Sequence, residues 1–309
     1  MGENLGAPLF NRVALIGIGL INSSLARAMR RDGLAGEITA CARTRRTLDK
    51  VKELGLADRV TTDPAVAVAG ADLVVLGTPL GTYREVTENM ASGLEPGCIV
   101  TDVGSVKACL ERDVAPLLPE GVHLVPGHPI AGTEHSGPEA GFAELFEGRW
   151  CVVTPAPGTD GAAVDCVTEL WERCGMTVQI MDAAHHDKVL AITSHVPHLI
   201  AYTIVGTATD LEEDLRDEVV KFSAGGFRDF TRIAGSDPTM WRDVFLTNRE
   251  AVLEMLGRFS EDLVALRRAI RRSEGQLLYD VFDRTREIRR GVIDAGQHIP
   301  PKGPRNDGD

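Results

Sequence analysis

The run Val13-Ala14-Leu15-Ile16, followed at once by Gly17-Ile18-Gly19 and then by Ser23-Ser24-Leu25-Ala26-Arg27-Ala28-Met29, restricts the fold of this 309-residue chain more than any other feature. Consecutive apolar residues suit a parallel strand buried on both faces, the glycines permit a tight turn with close backbone approach, and the last stretch reads as the helix that follows. Such a unit aims the helix's N-terminal N–H groups and positive dipole end at whatever lies over the turn, which suits a phosphate. A lone GxG says little, because glycine turns serve many loops; its setting between strand and helix is what points to a dinucleotide. The third glycine of that fingerprint is Asn22 here. Since that position normally lets helix and strand pack closely, a slightly wider turn is expected.

From residue 12 to about 181 apolar runs alternate with amphipathic stretches, the pattern of an α/β chain with a Rossmann-type doubly wound sheet. Strands are predicted at 12–17, 37–42, 72–77, 98–102, 122–126, 150–154 and 177–181. After Asp182 the pattern turns to helices alone. Asp182 is a suitable N-cap for a helix to about 208, Asp237-Pro238 starts another, and Phe259, Leu263, Leu266 and Ile270 carry a helical period toward a last helix near 277–292. The domains expected are therefore a dinucleotide-binding domain at 10–181 and an all-helical substrate and dimerisation domain at 182–296, with a disordered polar tail at 297–309.

Composition narrows the partners. A net charge of -12 argues against nonspecific nucleic-acid binding, so an anionic ligand has to be drawn by local arginines. The six cysteines show no CxxC and no cysteine–histidine spacing suited to zinc, so reduced thiols and no metal are expected. Met1-Gly2-Glu3-Asn4 carries no secretion pattern, Gly6 stands where a myristoylation motif wants serine or threonine, and no apolar run approaches ~20 residues. A cytoplasmic protein without a membrane segment is the expectation.

At the cofactor, Gly17, Gly19, Leu20 and Ile21 form the pyrophosphate turn. An NAD-binding unit normally places a carboxylate after its second strand, whereas Ile38-Thr39-Ala40-Cys41 here runs into Ala42-Arg43-Thr44-Arg45-Arg46. Arg43, Thr44 and Arg46 would suit a 2′-phosphate, so the cofactor reading is NAD(P), leaning toward NADP. The alternative is that the arginines are solvated residues opening the next helix and Arg43 stacks on adenine. Thr78 and Pro79, in Leu76-Gly77-Thr78-Pro79, would pass the nicotinamide ribose at the sheet's carboxyl edge. Ser105, in Thr101-Asp102-Val103-Gly104-Ser105-Val106-Lys107, should face the reaction site.

Taken together, GIGLINSS at 17–24, DVGSVK at 102–107, GHPIAGTEHSG at 127–137, SHVPH at 194–198 and FRDFTRIAGSDPTMW at 227–241 resemble the prephenate and arogenate dehydrogenases of tyrosine biosynthesis, over roughly residues 11–295. The resemblance implies oxidative decarboxylation of a cyclohexadienol, with His128 as proton acceptor and Ser105 holding the same hydroxyl. A neutral histidine is chemically apt for that task, though a histidine after a strand also serves as a structural partner. The family pattern makes His198 a substrate ligand with Ser194 and His195 as neighbours, and Arg232 the carboxylate anchor. Thr133, Glu134 and Asp229 join the substrate side, with Glu134 and Asp229 able to pair with Arg232 and gate entry. Trp241 is grouped with them, although tryptophan is more often core or interface. A homodimer is implied. Two other readings stay open: a 3-hydroxyacid or imine dehydrogenase, which would need a catalytic lysine on the second domain's first helix, where Lys188 is the only one, and a non-catalytic NAD(P)-sensing protein.

Overall fold

The computed structural model describes residues 7–210, 218, 221 and 224–294; the expected tail at 297–309 lies outside them. Six parallel strands, β1 (Phe10–Ile16), β2 (Ala35–Cys41), β3 (Arg59–Thr61), β4 (Leu73–Leu76), β5 (Ile99–Asp102) and β6 (His123–Leu124), form one sheet in the order β3-β2-β1-β4-β5-β6. The order reverses direction beside β1, which creates the crevice where doubly wound sheets bind ligands. Val13, Leu15, Ile38, Leu73 and Val75 enter the core on the face covered by helix α1 (Leu20–Asp32), while Ala14, Ile16, Val74, Leu76 and Val100 enter the core on the opposite face. Strands buried on both sides explain why these segments are continuously apolar.

The sheet differs from the sequence reading in one respect. The segments at 150–154 and 177–181 do not extend the parallel sheet. They form β8 (Trp150–Val153) and β9 (Thr177–Ile180) of a separate three-stranded sheet, whose first strand β7 (Gly127–Pro129) runs antiparallel to β8. The chain leaves the large sheet after Leu124, so the expected strand at 122–126 is short, and His128 sits on the smaller sheet.

Beyond Ile180 the described residues are helical. Asp182 caps α2 (Ala183–Leu190) by accepting from His185 N–H. A π-turn over Ala191–His195 then joins α3 (Val196–Thr209), with Val196 N–H reaching back to Ala191 O. Pro197 has no N–H and its ring would crowd the preceding turn, so the loosening expected from it takes the form of this extra-residue turn. Asp237 caps the helix Pro238–Thr247 through Thr239 and Met240 N–H, and two long helices, Arg249–Arg271 and Gly275–Asp294, complete the chain. By length and composition the run Ala183–Thr209 is apolar enough to cross a membrane, which corrects the expectation of no such stretch. An averaged hydropathy passes over the histidines that interrupt it. Within it His186, Asp187, His195 and His198 hydrogen-bond to other protein groups.

Candidate active site

The glycine turn is built as a cradle. Gly17 has φ +85°, and a Cβ there would lie 2.7 Å from Gly77 O, so only glycine fits. A Cβ on Gly19, the residue preceding α1, would meet nothing within 4 Å, leaving open space over the helix N-terminus. Leu20 and Ile21 pack half-buried against the core. Asn22 behaves differently from the expected spacer. Its buried amide donates to Gly17 O at 2.8 Å and to Val75 O at 3.3 Å, tying the turn to β4, and the close approach requires that Gly77 lack a Cβ, which would fall 2.4 Å from Asn22 Nδ2. Gly77→Ala should therefore destabilise the protein by about 1–3 kcal/mol and weaken cofactor binding, and adding Asn22→Gly should relieve part of the loss. Denaturant midpoints and cofactor titrations of the single and double variants check this.

Arg43, Thr44, Arg45 and Arg46, which follow β2 and the buried Ala42, are exposed. Thr44 caps the next helix, its hydroxyl accepting from Thr47 N–H, while Arg43 and Arg46 have no ion-pair partner among the described residues. Thr78 accepts a hydrogen bond from the Thr82 hydroxyl beside exposed Pro79. These groups fit a dinucleotide laid along the strand ends: an open glycine cradle, an uncapped helix start and free guanidinium groups.

A buried ionic node fixes the reaction side. The Asp102 carboxylate, at the end of β5, accepts from Lys107 Nζ (2.5 Å), Tyr83 OH (3.0 Å), Gly104 N–H (2.8 Å) and Gly127 N–H (3.1 Å), while Lys107 Nζ also donates to Gly127 O (2.7 Å). Both members of the pair are fully buried. The node locks the 103–107 loop, which carries Ser105, to the start of β7, which carries His128. Ser105 is half-buried and its hydroxyl has no protein partner among the described residues.

His128 is 8% exposed, and its Nδ1 lies 2.8 Å from Nε2 of His186. His186 Nδ1 lies 2.8 Å from Asp187, whose carboxylate also accepts the N–H groups of Lys107 and Ala108. Burial, reinforced by His186, Lys107 and His195, pushes His128 well below the ordinary histidine range, so its ring is neutral. His186, Asp187, Asp102 and Lys107 were given no role from the sequence. The adjacent pair His186-Asp187 at a helix start was the available signal.

On the helical side, His198 donates from Nδ1 to Ser194 O at 2.8 Å and stacks on Trp241 with ring centroids 3.7 Å apart. Trp241 is therefore a buried wall that orients His198, and it belongs to the core beside β4 and β5. The Arg232 guanidinium lies near enough to depress His198, which burial lowers most. Arg232 Nη1 pairs with Glu134 Oε2 at 3.2 Å. Asp229 does not join this pair; it is exposed and contacts Arg228. Thr133 accepts from His135 N–H. His195, expected as a neighbour of His198 on the substrate side, is fully buried, and Asn248 Nδ2 bridges its Nδ1 to the Asp187 carbonyl.

Burial holds His195 at about 4 and lowers His128, His186 and His198 as well. The unfolded chain binds protons on these rings that the folded chain refuses. Stability should therefore be full above about pH 6.5 and fall as the pH drops toward 4, with His195 alone worth about 3 kcal/mol over that interval. Urea midpoints across this range check it, and His195→Gln should flatten the slope.

Residues 25–180 match the model of the prephenate dehydrogenase nucleotide-binding domain, and residues 182–284 match that of the prephenate dehydrogenase dimerization domain. The chain belongs to the prephenate dehydrogenase family. It is 40% identical to a cyclohexadienyl dehydrogenase of Zymomonas mobilis, over 91% of this chain and 96% of that one. It is 31% identical to a prephenate dehydrogenase of Bacillus subtilis, over 91% of this chain and 76% of the other. Its fold superposes on a prephenate dehydrogenase of Aquifex aeolicus in complex with hydroxyphenyl propionate and NAD+, with a TM-score of 0.85 and 34% identity, covering 94% of this chain and 100% of the other. A Synechocystis arogenate dehydrogenase superposes with a TM-score of 0.75 at 26% identity, over 91% of this chain and 99% of that one. The family assignment makes this chain a nicotinamide-dependent oxidoreductase.

Proposed function

We propose that this chain catalyses the NAD(P)-dependent oxidative decarboxylation of prephenate, arogenate or both. The observation that carries the reading is a buried neutral histidine, His128, on a strand pinned to the Ser105 loop, within a run of neighbouring groups that passes through His195 to His198 and on to the exposed guanidinium of Arg232. The substrate's ring hydroxyl would donate to His128 and be steadied by Ser105. As the C4 hydride leaves, His128 draws the hydroxyl proton. When the ring carboxylate departs as carbon dioxide its bonding electrons aromatise the ring, and His128 returns the proton to the phenol oxygen. No net proton is released. The bound nicotinamide supplies the hydride acceptor, and the protein's task is mainly proximity and orientation.

Arg232 would grip a substrate carboxylate. Its present pair with Glu134 is half-exposed and worth at most about 1 kcal/mol, so a carboxylate can displace it. Arg232→Ala should raise KM by about 10- to 100-fold with little change in kcat; steady-state kinetics check it, and an unchanged KM would remove Arg232 as the anchor. Thr133 and Glu134 would line the entrance, and His198 would offer Nε2 to a substrate donor, because its Nδ1–H is given to Ser194 O. The unpaired Arg43 and Arg46 favour NADP. The hydroxyacid or imine alternative loses its lysine, since Lys188 is exposed and paired with Glu254.

Residues 10–181 would hold the cofactor, and 182–296 would complete the substrate site and dimerise in a cytoplasmic enzyme. The long helices expose Leu253, Leu263, Ile270, Tyr279, Phe282 and Ile288, an apolar surface suited to a second copy of the chain. The test is formation of reduced nicotinamide with prephenate or arogenate, each paired with NAD+ or NADP+. Turnover in any pairing supports the reading and fixes both preferences. Silence in all four, with cofactor bound, would overturn it.

A further inference from the structure

The chain His128–His186–Asp187 runs from the reacting face into the interior, and its hydrogen bonds can be assigned in only one direction. Asp187 Oδ1 accepts Lys107 N–H at 2.8 Å and Oδ2 accepts Ala108 N–H at 3.0 Å. A carboxylate that already receives two backbone donors is an acceptor for its third contact too, so His186 donates to it from Nδ1 at 2.8 Å. Burial, acting before the opposing pull of Asp187, lowers His186, and the ring is neutral. A neutral ring protonated on Nδ1 carries its lone pair on Nε2. That atom lies 2.8 Å from His128 Nδ1, which must then be the donor. The lone pair of His128 is left on Nε2. The opposite tautomer would set two lone pairs against each other at hydrogen-bond distance, or turn a lone pair of His186 toward Asp187.

We propose that His186 and Asp187 are positioning residues that lock His128 in the tautomer whose free base is Nε2, and that share the positive charge when Nε2 takes a proton. The inference rests on the reading of His128 as the proton acceptor. It gives a purpose to two side chains that are 0% and 5% exposed and that contact neither the cofactor turn nor Arg232. The other charged or titratable groups acting on this chain are Lys107, Asp102 and His195. Asn248, bridging His195 and the Asp187 carbonyl, holds the helix that delivers the pair.

Two substitutions separate this role from mere packing. In Asp187→Asn the amide oxygen can take the Oδ1 place and still accept from Lys107 N–H and His186 Nδ1, which leaves the amide nitrogen against Ala108 N–H. The tautomer is kept, but the negative charge that shares a proton taken up at His128 Nε2 is lost. In His186→Gln the side-chain carbonyl can still accept from His128 Nδ1–H, so the tautomer survives although a buried ring is lost. Asp187→Asn should lower kcat by at least ~10²-fold with substrate KM and cofactor affinity nearly unchanged, whereas His186→Gln should retain activity within about tenfold of the parent. A packing role predicts the reverse order, because the loss of the ring is the larger structural change.

The tautomer can also be read without turnover, by 15N NMR of histidine-labelled protein. The wild type should show His128 protonated on Nδ1 and unprotonated on Nε2. A proton on Nε2 in the wild type, or an Asp187→Asn kcat within threefold of the parent, would overturn the proposal. Should Asp187→Asn fail to fold, the wild-type spectrum and the His186→Gln kinetics decide. Because the spectrum needs no substrate, a wrong tautomer is distinguishable from a wrong reaction.

Discussion

His128→Asn lowers kcat by ~10²- to 10⁴-fold and leaves cofactor binding intact, if the buried imidazole is the proton acceptor. Asparagine's polar head falls near the position of Nδ1, so it can keep a bond to His186 while removing the Nε2 lone pair. The glycine cradle lies on a different strand end and is untouched. Stopped-flow or steady-state rates, with cofactor affinity measured separately by titration, check the result. Unchanged turnover would exclude His128 as the base.

The second large effect falls on stability. Lys107→Met leaves the Asp102 carboxylate buried with its main cationic partner gone. Breaking one side of a buried pair costs about 3–5 kcal/mol, because the remaining charge has no compensation. The loss should be larger than for any exposed pair in the molecule, such as Arg286 with Asp283, and it should appear as a lowered denaturant midpoint. Activity per folded molecule should fall as well, since the same node holds the Ser105 loop against the His128 strand. Replacing both residues, as Lys107→Met with Asp102→Leu, should not recover the loss, because Tyr83 OH and the Gly104 and Gly127 N–H groups would then lie buried without their acceptor. A midpoint within about 1 kcal/mol of the parent for the single variant would show that the pair is not structural.

The sequence made the strand–turn–helix unit legible because each part has a local cause: apolar strands buried on both faces, a glycine that must adopt positive φ, and a helix with one apolar side. Helix starts at Asp182 and Asp237 were legible for the same reason, since a cap bonds residues two or three positions away. The smaller sheet was not. Val152 and Val153 are as apolar as any strand of the large sheet, and nothing within them says that the partner is Gly127–Pro129, more than twenty residues upstream. Asn22 misled for a related reason. Its position in the fingerprint says that a glycine is missing, but whether an amide can occupy that space depends on Gly77, just past the end of another strand. Ser105 was placed at the reaction site by its position after a strand's carboxyl end, while the roles of His128 and Arg232 came through the family resemblance. The residues that orient them, His186, Asp187, Asp102 and Lys107, are set by contacts across the fold, such as that between His128 and His186, 58 positions apart.

The central claim is that hydride removal and loss of the carboxylate are one reaction, and the measurement that tests it most directly is stoichiometry. Purified protein given a ring-C4-deuterated substrate of the preferred class, with its preferred cofactor, should release one carbon dioxide for each nicotinamide reduced and carry the deuterium onto the nicotinamide ring. Reduced nicotinamide formed without carbon dioxide, or without deuterium, would contradict the account and point to simple alcohol oxidation on the same fold.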